Sequence, residues 1–307
     1  MKRVSLLLGV LLVSFAHAQK IASIEKEDIV RIETKLASDD FEGRATFSAG
    51  IEKASAFIEN EFKEIGLAFY GDLQSYRQEF KFKGKDANNV VGVLKGKTKP
   101  DEYVIFSAHY DHLGLNKDSE DKVFNGANDD ASGVTAVITL AKYFKKKGFN
   151  DRTIVFVAFT AEEIGGYGSK EFSKSIDAAK VVAMFNIEMI GTESKWGKNS
   201  AYITGFEKSN FGGILQQNLK DSRFNFYPDP YPDQNLFYRS DNARLAAMGV
   251  PAHTISTSKM DVEPNYHKAS DEVSTLNLDN MTEIIKAIAI SSNTIVNGKD
   301  TPTRVTK

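Results

Sequence analysis

The sequence predicts an α/β protein with a mixed, mostly parallel central sheet and helices on both faces. Three observations predict it. Strand-like and amphipathic helical segments alternate along the chain. Three of the four clearest strands are near-continuous apolar runs, as expected of strands buried on both faces. The helix joining two of them ends in lysines and a glycine, which suit a helix C-terminus.

Taken in order, "EDIVRIETKLASDD" and "SAGIEKASAFIENEFKEIGL" carry apolar residues at three- and four-residue spacing, so residues 26–67 read as helices, the second closed by Gly66. A polar loop, "DDFEGRATFS", separates them. Strands are expected at 89–96, 103–111, 153–163 and 181–190, with a helix over 132–148 and another starting at "GSKEFSKS". Residues 192–240 are less regular, and "YPDPYPDQNLFYRSD" reads as a functional loop. "NARLAAMGVPAHTIST" returns to helix and strand, and "NLDNMTEIIKAIAISSNTIV" is a closing amphipathic helix. The organisation expected is a signal peptide over 1–18, one domain over 19–300 and a loose tail over 301–307.

The N-terminus carries the signal-peptide reading. Lys2 and Arg3 precede an apolar run from Val4 to Phe15, followed by Ala16-His17-Ala18 as a cleavage site. That run is too short to span a bilayer, and nothing later approaches spanning length. The expectation is an exported protein, periplasmic or secreted, with no membrane partner. Removing Lys2 and Arg3 leaves 37 basic against 41 acidic residues, a net of −4. Such a balance offers no electrostatic case for a nucleic-acid partner. Cysteine is absent. Any metal must therefore sit on histidine and carboxylates. Beyond the signal segment only His109, His112, His253 and His267 remain.

The polar groups fall in a pattern. His109 and Asp111 end one strand, Glu162 and Glu163 the next, and Glu188 a third. Ligands of open α/β sheets bind beyond the carboxyl ends of strands. Asp129 and Asp130 stand where the 132–148 helix begins, which alone reads as a cap and turn. Glu188 lies in the apolar segment "FNIEMIG", where a carboxylate is costly unless paired or bound to a metal. Converging acids and imidazoles repel one another without a cation. Oxygen and imidazole donors without thiolate suit zinc, and less specifically manganese or cobalt. A bridging carboxylate holds two metals about 3.5–4 Å apart in hydrolytic sites.

The stretches "SAHYDH", "NGANDDASG", "FTAEEIGGYGS", "NIEMIG" and "YHKASDEV", in that order, resemble the co-catalytic di-zinc aminopeptidases of metallopeptidase family twenty-eight, clan MH. The resemblance spans roughly residues 37–290, with 20, 34, 25 and 79 residues between ligand positions. It implies a zinc-exopeptidase fold of the phosphorylase/hydrolase-like kind and peptide substrates with a free N-terminus. It implies that His109 and Glu188 are terminal ligands of one zinc, that Glu163 and His267 serve the other, and that Asp129 bridges. Asp111 then holds the His109 imidazole, Glu162 is the general base, and Tyr266 hydrogen-bonds the developing gem-diolate. Asp271 supports the His267 loop. The family usually has aspartate where Glu188 stands, so this position departs from the pattern. His112 and His253 have no ligand role in the mapping; His112 is expected at the surface and His253 in a structural role. "FEGR" and Ser240-Asp241 also lie in family-like segments.

Other readings stay open. A carboxypeptidase or dipeptidase could use the same site. A glutaminyl cyclase-like transferase would use one zinc, and a transferrin receptor-like binding domain would use none for catalysis. No Gly-x-Ser-x-Gly elbow, P-loop or His-Glu-x-x-His stretch is present. Side-chain specificity and oligomeric state are not encoded in any motif.

Overall fold

The computed structural model describes residues 24–116 and 121–306. The signal-peptide segment falls outside them. In chain order the strands are β1 (Arg77–Phe82), β2 (Lys85–Leu94), β3 (Lys99–His109), β4 (Gly114–Leu115), β5 (Val123–Phe124), β6 (Arg152–Phe159), β7 (Val181–Ile187), β8 (Ser200–Ile203), β9 (Asn225–Pro228) and β10 (Ala252–Ser256). The helices that matter here are α1 (Lys26–Leu36), α2 (Ala49–Ile65), α3 (Ser132–Lys147), α4 (Tyr167–Ser175), α5 (Phe211–Leu219), α6 (Asn242–Ala247) and α7 (Leu278–Ser291).

Eight strands form one sheet in the order β1-β2-β6-β3-β7-β10-β8-β9. The central β6, β3, β7 and β10 are parallel, while β1, β2 and β8 join antiparallel to their inner neighbours. The expected mixed, mostly parallel sheet is therefore present. Its strands alternate faces. Val104, Phe106 and Ala108 of β3 pack with α1, α2, α3, α5 and α7, whereas Ile105 packs on the other side with Val155, Val157, Phe172 of α4 and Leu245 of α6. Apolar burial of this kind stabilises by about 25 cal/mol per Å², so both faces of the central strands hold the sheet.

Besides β8, α5 and β9, which form inside the 192–240 stretch read as irregular, two parts differ from the sequence reading. A hairpin strand, β1, precedes the first expected strand; its "RQEFKF" is charged because it is an edge, and Arg77 reaches Glu52 and Glu59 of α2. The 301–307 tail, expected to hang loose, is fastened over 301–306. Arg304 donates to the carbonyls of Val181 and Ala178 and the Val305 amide to that of Gly249. Among the described residues no helix is long and apolar enough to cross a membrane.

Between α1 and α3 lies a buried acid. Glu33 is fully buried, with one oxygen accepting from the Thr135 hydroxyl at 2.7 Å and the other without a partner. Burial pushes its carboxyl from 4.5 up to about 8, against the pull of Thr135 and Arg44. The folded state therefore keeps this proton where the unfolded chain loses it. Stability is full below pH 4.5 and is lost as pH rises through about 8, by at most about 5 kcal/mol. Urea denaturation of metal-stripped protein at pH 5, 7 and 9 should show the wild type losing more stability than Glu33→Gln. Parallel pH profiles for the two would remove Glu33 as the cause.

Candidate metal centre

The neighbouring ends of β6, β3 and β7 deliver the site. β3 stops at His109, β7 stops one residue before Glu188, and β6 runs into the turn carrying Glu162 and Glu163. The loop before α3 brings Asp129, and the loop after β10 brings Tyr266 and His267.

Four of the expected donors meet directly. His109 Nε2 lies 3.1 Å from Asp129 Oδ1. His267 Nε2 lies 3.3 Å from Asp129 Oδ2 and 3.2 Å from Glu163 Oε2. One ligand atom each from His109, Asp129 and Glu163 falls within a mutual 4.8 Å, close enough to hold a single ion. Asp129 thus stands between the two imidazoles, one carboxylate oxygen toward each. Glu188 is not in that tight group. It lines the same cleft, with Oε2 buried and without a hydrogen-bond partner. Glu162 and Tyr266 also line the cleft, and the Tyr266 ring stacks on His267 at 3.9 Å.

The electrostatics follow from this crowding. Burial works against a charged His109, yet the bond to Asp129 and the nearby Asp130 and Glu162 hold its pKa well above the imidazole range. Bonds to Asp129 and Glu163 raise His267 to about 10. Burial alone would raise Asp129 and Glu163, but their imidazole partners hold both below the usual carboxylate range. Burial pushes Glu162 well up, and Glu188, Asp241 and Asp111 add to the rise against the pull of His109. Burial likewise raises Glu188 and the Tyr266 phenol. A donor set that must recruit protons to balance its carboxylates is one that exchanges those protons for a divalent cation. The residues therefore fit zinc, whose ligands here are all oxygen and imidazole nitrogen.

Asp111 acts differently from expectation. β3 ends at His109, and it is the Asp111 backbone carbonyl that sits 3.1 Å from His109 Nδ1; the carboxylate is 3.8 Å away. That carboxylate accepts instead from the Glu162 and Glu163 amides, at 3.1 and 3.3 Å, and from the Thr46 hydroxyl at 3.0 Å. It fixes the turn that carries the acid pair. Asp271, buried, accepts from the amides of Asn128 and Asp129 at 2.8 and 3.0 Å, so the support expected of it reaches the Asp129 loop. Asp130 has the capping role, accepting from the Gly133 amide at 3.0 Å. His253 is structural, its ring bonded to the Thr204 carbonyl and the Ser209 hydroxyl.

His112 was expected at the surface and is instead 2% exposed. Its Nδ1 lies 2.8 Å from Glu163 Oε1 and 3.9 Å from Asp129 Oδ2, while Nε2 has no partner. Arg44 was also missed. Buried to 1% exposure, it donates to the carbonyls of Leu36, Tyr110, Asn125 and Gly126, binding the first loop to those after β3 and before α3. The only sequence signal for His112 was its place three residues after His109.

An α/β sheet with this donor set beyond its central strand ends defines a zinc-dependent peptidase class. The chain belongs to peptidase family M28, whose family model matches residues 89–291. A probable zinc metalloprotease from Pyrenophora teres f. teres is 31% identical over 191 residues, 56% of this chain and 40% of its own length. The chain thus spans less than half of that relative. Leucine aminopeptidase 1 from Trichophyton rubrum is 25% identical over 284 residues, 87% of this chain and 73% of its own length. The solved zinc aminopeptidase BSAP from Bacillus subtilis has a TM-score of 0.73 at 14% identity, covering 91% of this chain and 97% of that one; at such identity the likeness is one of fold.

His112 orients a donor through a hydrogen bond, and loss of such a partner commonly lowers metal affinity 10–100-fold. Chelator competition should show His112→Ala losing zinc affinity by roughly tenfold or more, with His112→Asn, which keeps a donor near the Nδ1 position, recovering part of it. Equal affinity in all three proteins would assign His112 to packing alone.

Proposed function

We propose that the chain is an exported aminopeptidase that holds two zinc ions and hydrolyses the N-terminal bond of peptides. The observation that carries this reading is the convergence of His109, Asp129, Glu163 and His267 beside a cleft also lined by Glu162, Glu188 and Tyr266. His109 and Glu188 would hold one ion, Glu163 and His267 the other, with Asp129 between them. Bound zinc supplies a Lewis acid and lowers the pKa of water.

The chain's own residues supply the rest. Glu162, whose carboxyl burial raises, would take a proton from the attacking water and return it to the leaving amine as the C–N bond breaks. Tyr266 keeps its phenolic proton because burial and the carboxylates Asp129, Glu163 and Glu188 oppose its loss. It is therefore a donor to the oxygen on which negative charge develops. Glu188 offers a free buried oxygen toward the same cleft. Export rests on the N-terminal segment, and cleavage after Ala18 predicts a mature chain starting at Gln19, read by mass spectrometry of the exported protein.

The test compares free and N-acetylated versions of one peptide set, with and without chelator. Chelator-sensitive cleavage of the free-amine peptides alone is the expected result, with two zinc ions per chain by elemental analysis. Glu162→Gln should cut kcat by about 10²–10⁴ while retaining its zinc. Cleavage of blocked peptides from the other end would make the enzyme a carboxypeptidase. One zinc with cyclisation of N-terminal glutamine would make it a glutaminyl cyclase. Neither cleavage nor bound zinc would leave a binding domain.

A further inference from the structure

The cleft that these side chains line encloses a small cavity of about 70 Å³. Its walls mix Met189, Leu236 and Met260 with the hydroxyls of Thr204, Thr254 and Ser256. At the rim stands Arg239, among the described residues the one arginine or lysine lining this cleft, whose acids are Asp129, Glu162, Glu163 and Glu188. Its guanidinium donates to Gln234 Oε1 at 3.3 Å, and among the described residues it forms no ion pair with any carboxylate. Its positive charge is felt at the Tyr266 phenol across the cleft.

Arg239 is also held in place. It sits between a short 3₁₀ turn (Leu236–Tyr238) and Ser240, whose hydroxyl accepts from Asn186 Nδ2 at 2.6 Å. Asn186 is on β7, two residues before Glu188. The backbone carrying the guanidinium is thus tied to the strand that delivers a predicted zinc ligand. Five N–H donors in a planar fork suit a carboxylate.

We propose that Arg239 is a specificity-determining residue that binds a carboxylate of the substrate, so that the enzyme favours peptides carrying a second anionic group near the scissile bond. This rests on the peptidase reading above. The carboxylate has two possible sources: the side chain of an acidic N-terminal residue, or the C-terminus of a dipeptide.

Two matched pairs distinguish them on the zinc-loaded protein: Glu-p-nitroanilide against Gln-p-nitroanilide, and Ala-Ala against Ala-Ala-amide. One pair is expected to show about a tenfold advantage in kcat/KM for its carboxylate member, arising in KM, and that pair identifies the source. Arg239→Ala should bring that ratio close to one, and Arg239→Lys should keep part of it, since the charge remains while the fork is lost. Ratios near one for both pairs in the wild type would overturn the proposal. So would a preference that survives Arg239→Ala. If none of the four is cleaved, the peptidase reading fails, and titration calorimetry of Ala-Ala against Ala-Ala-amide still decides: tighter binding of the acid, lost in Arg239→Ala, supports the role, and equal binding rejects it.

Discussion

Three buried carboxylates, Asp130, Asp111 and Asp271, hold the backbone of the residues that line the cleft. Asp130 accepts from the amides of His109, Gly133 and Met189, so one side chain joins the end of β3, the first turn of α3 and the end of β7. Asp111 does the same for Glu162 and Glu163, and Asp271 for Asn128 and Asp129. A buried carboxylate is costly unless its oxygens are satisfied. Backbone N–H groups satisfy it without adding mobile side chains, so the same bonds that offset the cost fix the directions of the donors. Strand ends alone would leave those loops free to adjust.

That scaffold confines several acids to one small volume. Asp111, Asp129, Asp130 and Asp271 are all buried, and Glu162, Glu163 and Glu188 line the cleft beside them. Burial and then the neighbouring Glu188, Asp241 and Asp111 raise Glu162, while hydrogen bonds to imidazoles depress Asp129 and Glu163. Two protonated imidazoles are a poor substitute for divalent cations, because each brings one charge and needs its own hydrogen-bond geometry. The charge arrangement is thus more specific evidence for metal than the mere number of acids. A surface cluster of the same composition would be screened by water and would shift nothing.

The central fold was legible because its strands are nearly pure apolar runs whose periodicity needs no partner to be recognised. The residues of the cleft were legible because they interrupt those runs: Glu188 in "FNIEMIG" and His109 after "YVIFSA" are expensive where they stand. What escaped has a common cause. β1 is a charged edge strand and carries no apolar signal. Arg44 binds only main-chain carbonyls, which any residue could provide, so no sequence partner marks it. His112 looked spare because its partner, Glu163, is 51 residues away. Asp111 was expected to grip His109 with its side chain, and the early end of β3 turned its carboxylate toward the amides of the Glu162-Glu163 turn instead.

The residue that joins three walls of the cleft is Asn186. Its side chain accepts from the Ser107 hydroxyl on β3 and donates to the Ser240 and Thr254 hydroxyls. It therefore couples the strand of His109, the loop of Arg239 and the strand lining the far wall of the cleft. Because Asn186 and Glu188 lie two residues apart on one chain segment, a shift of the Arg239 loop would pull on the same strand end that aims Glu188. The loop of Arg239 and the strand ends of His109 and Glu188 are, in this molecule, parts of one hydrogen-bonded unit.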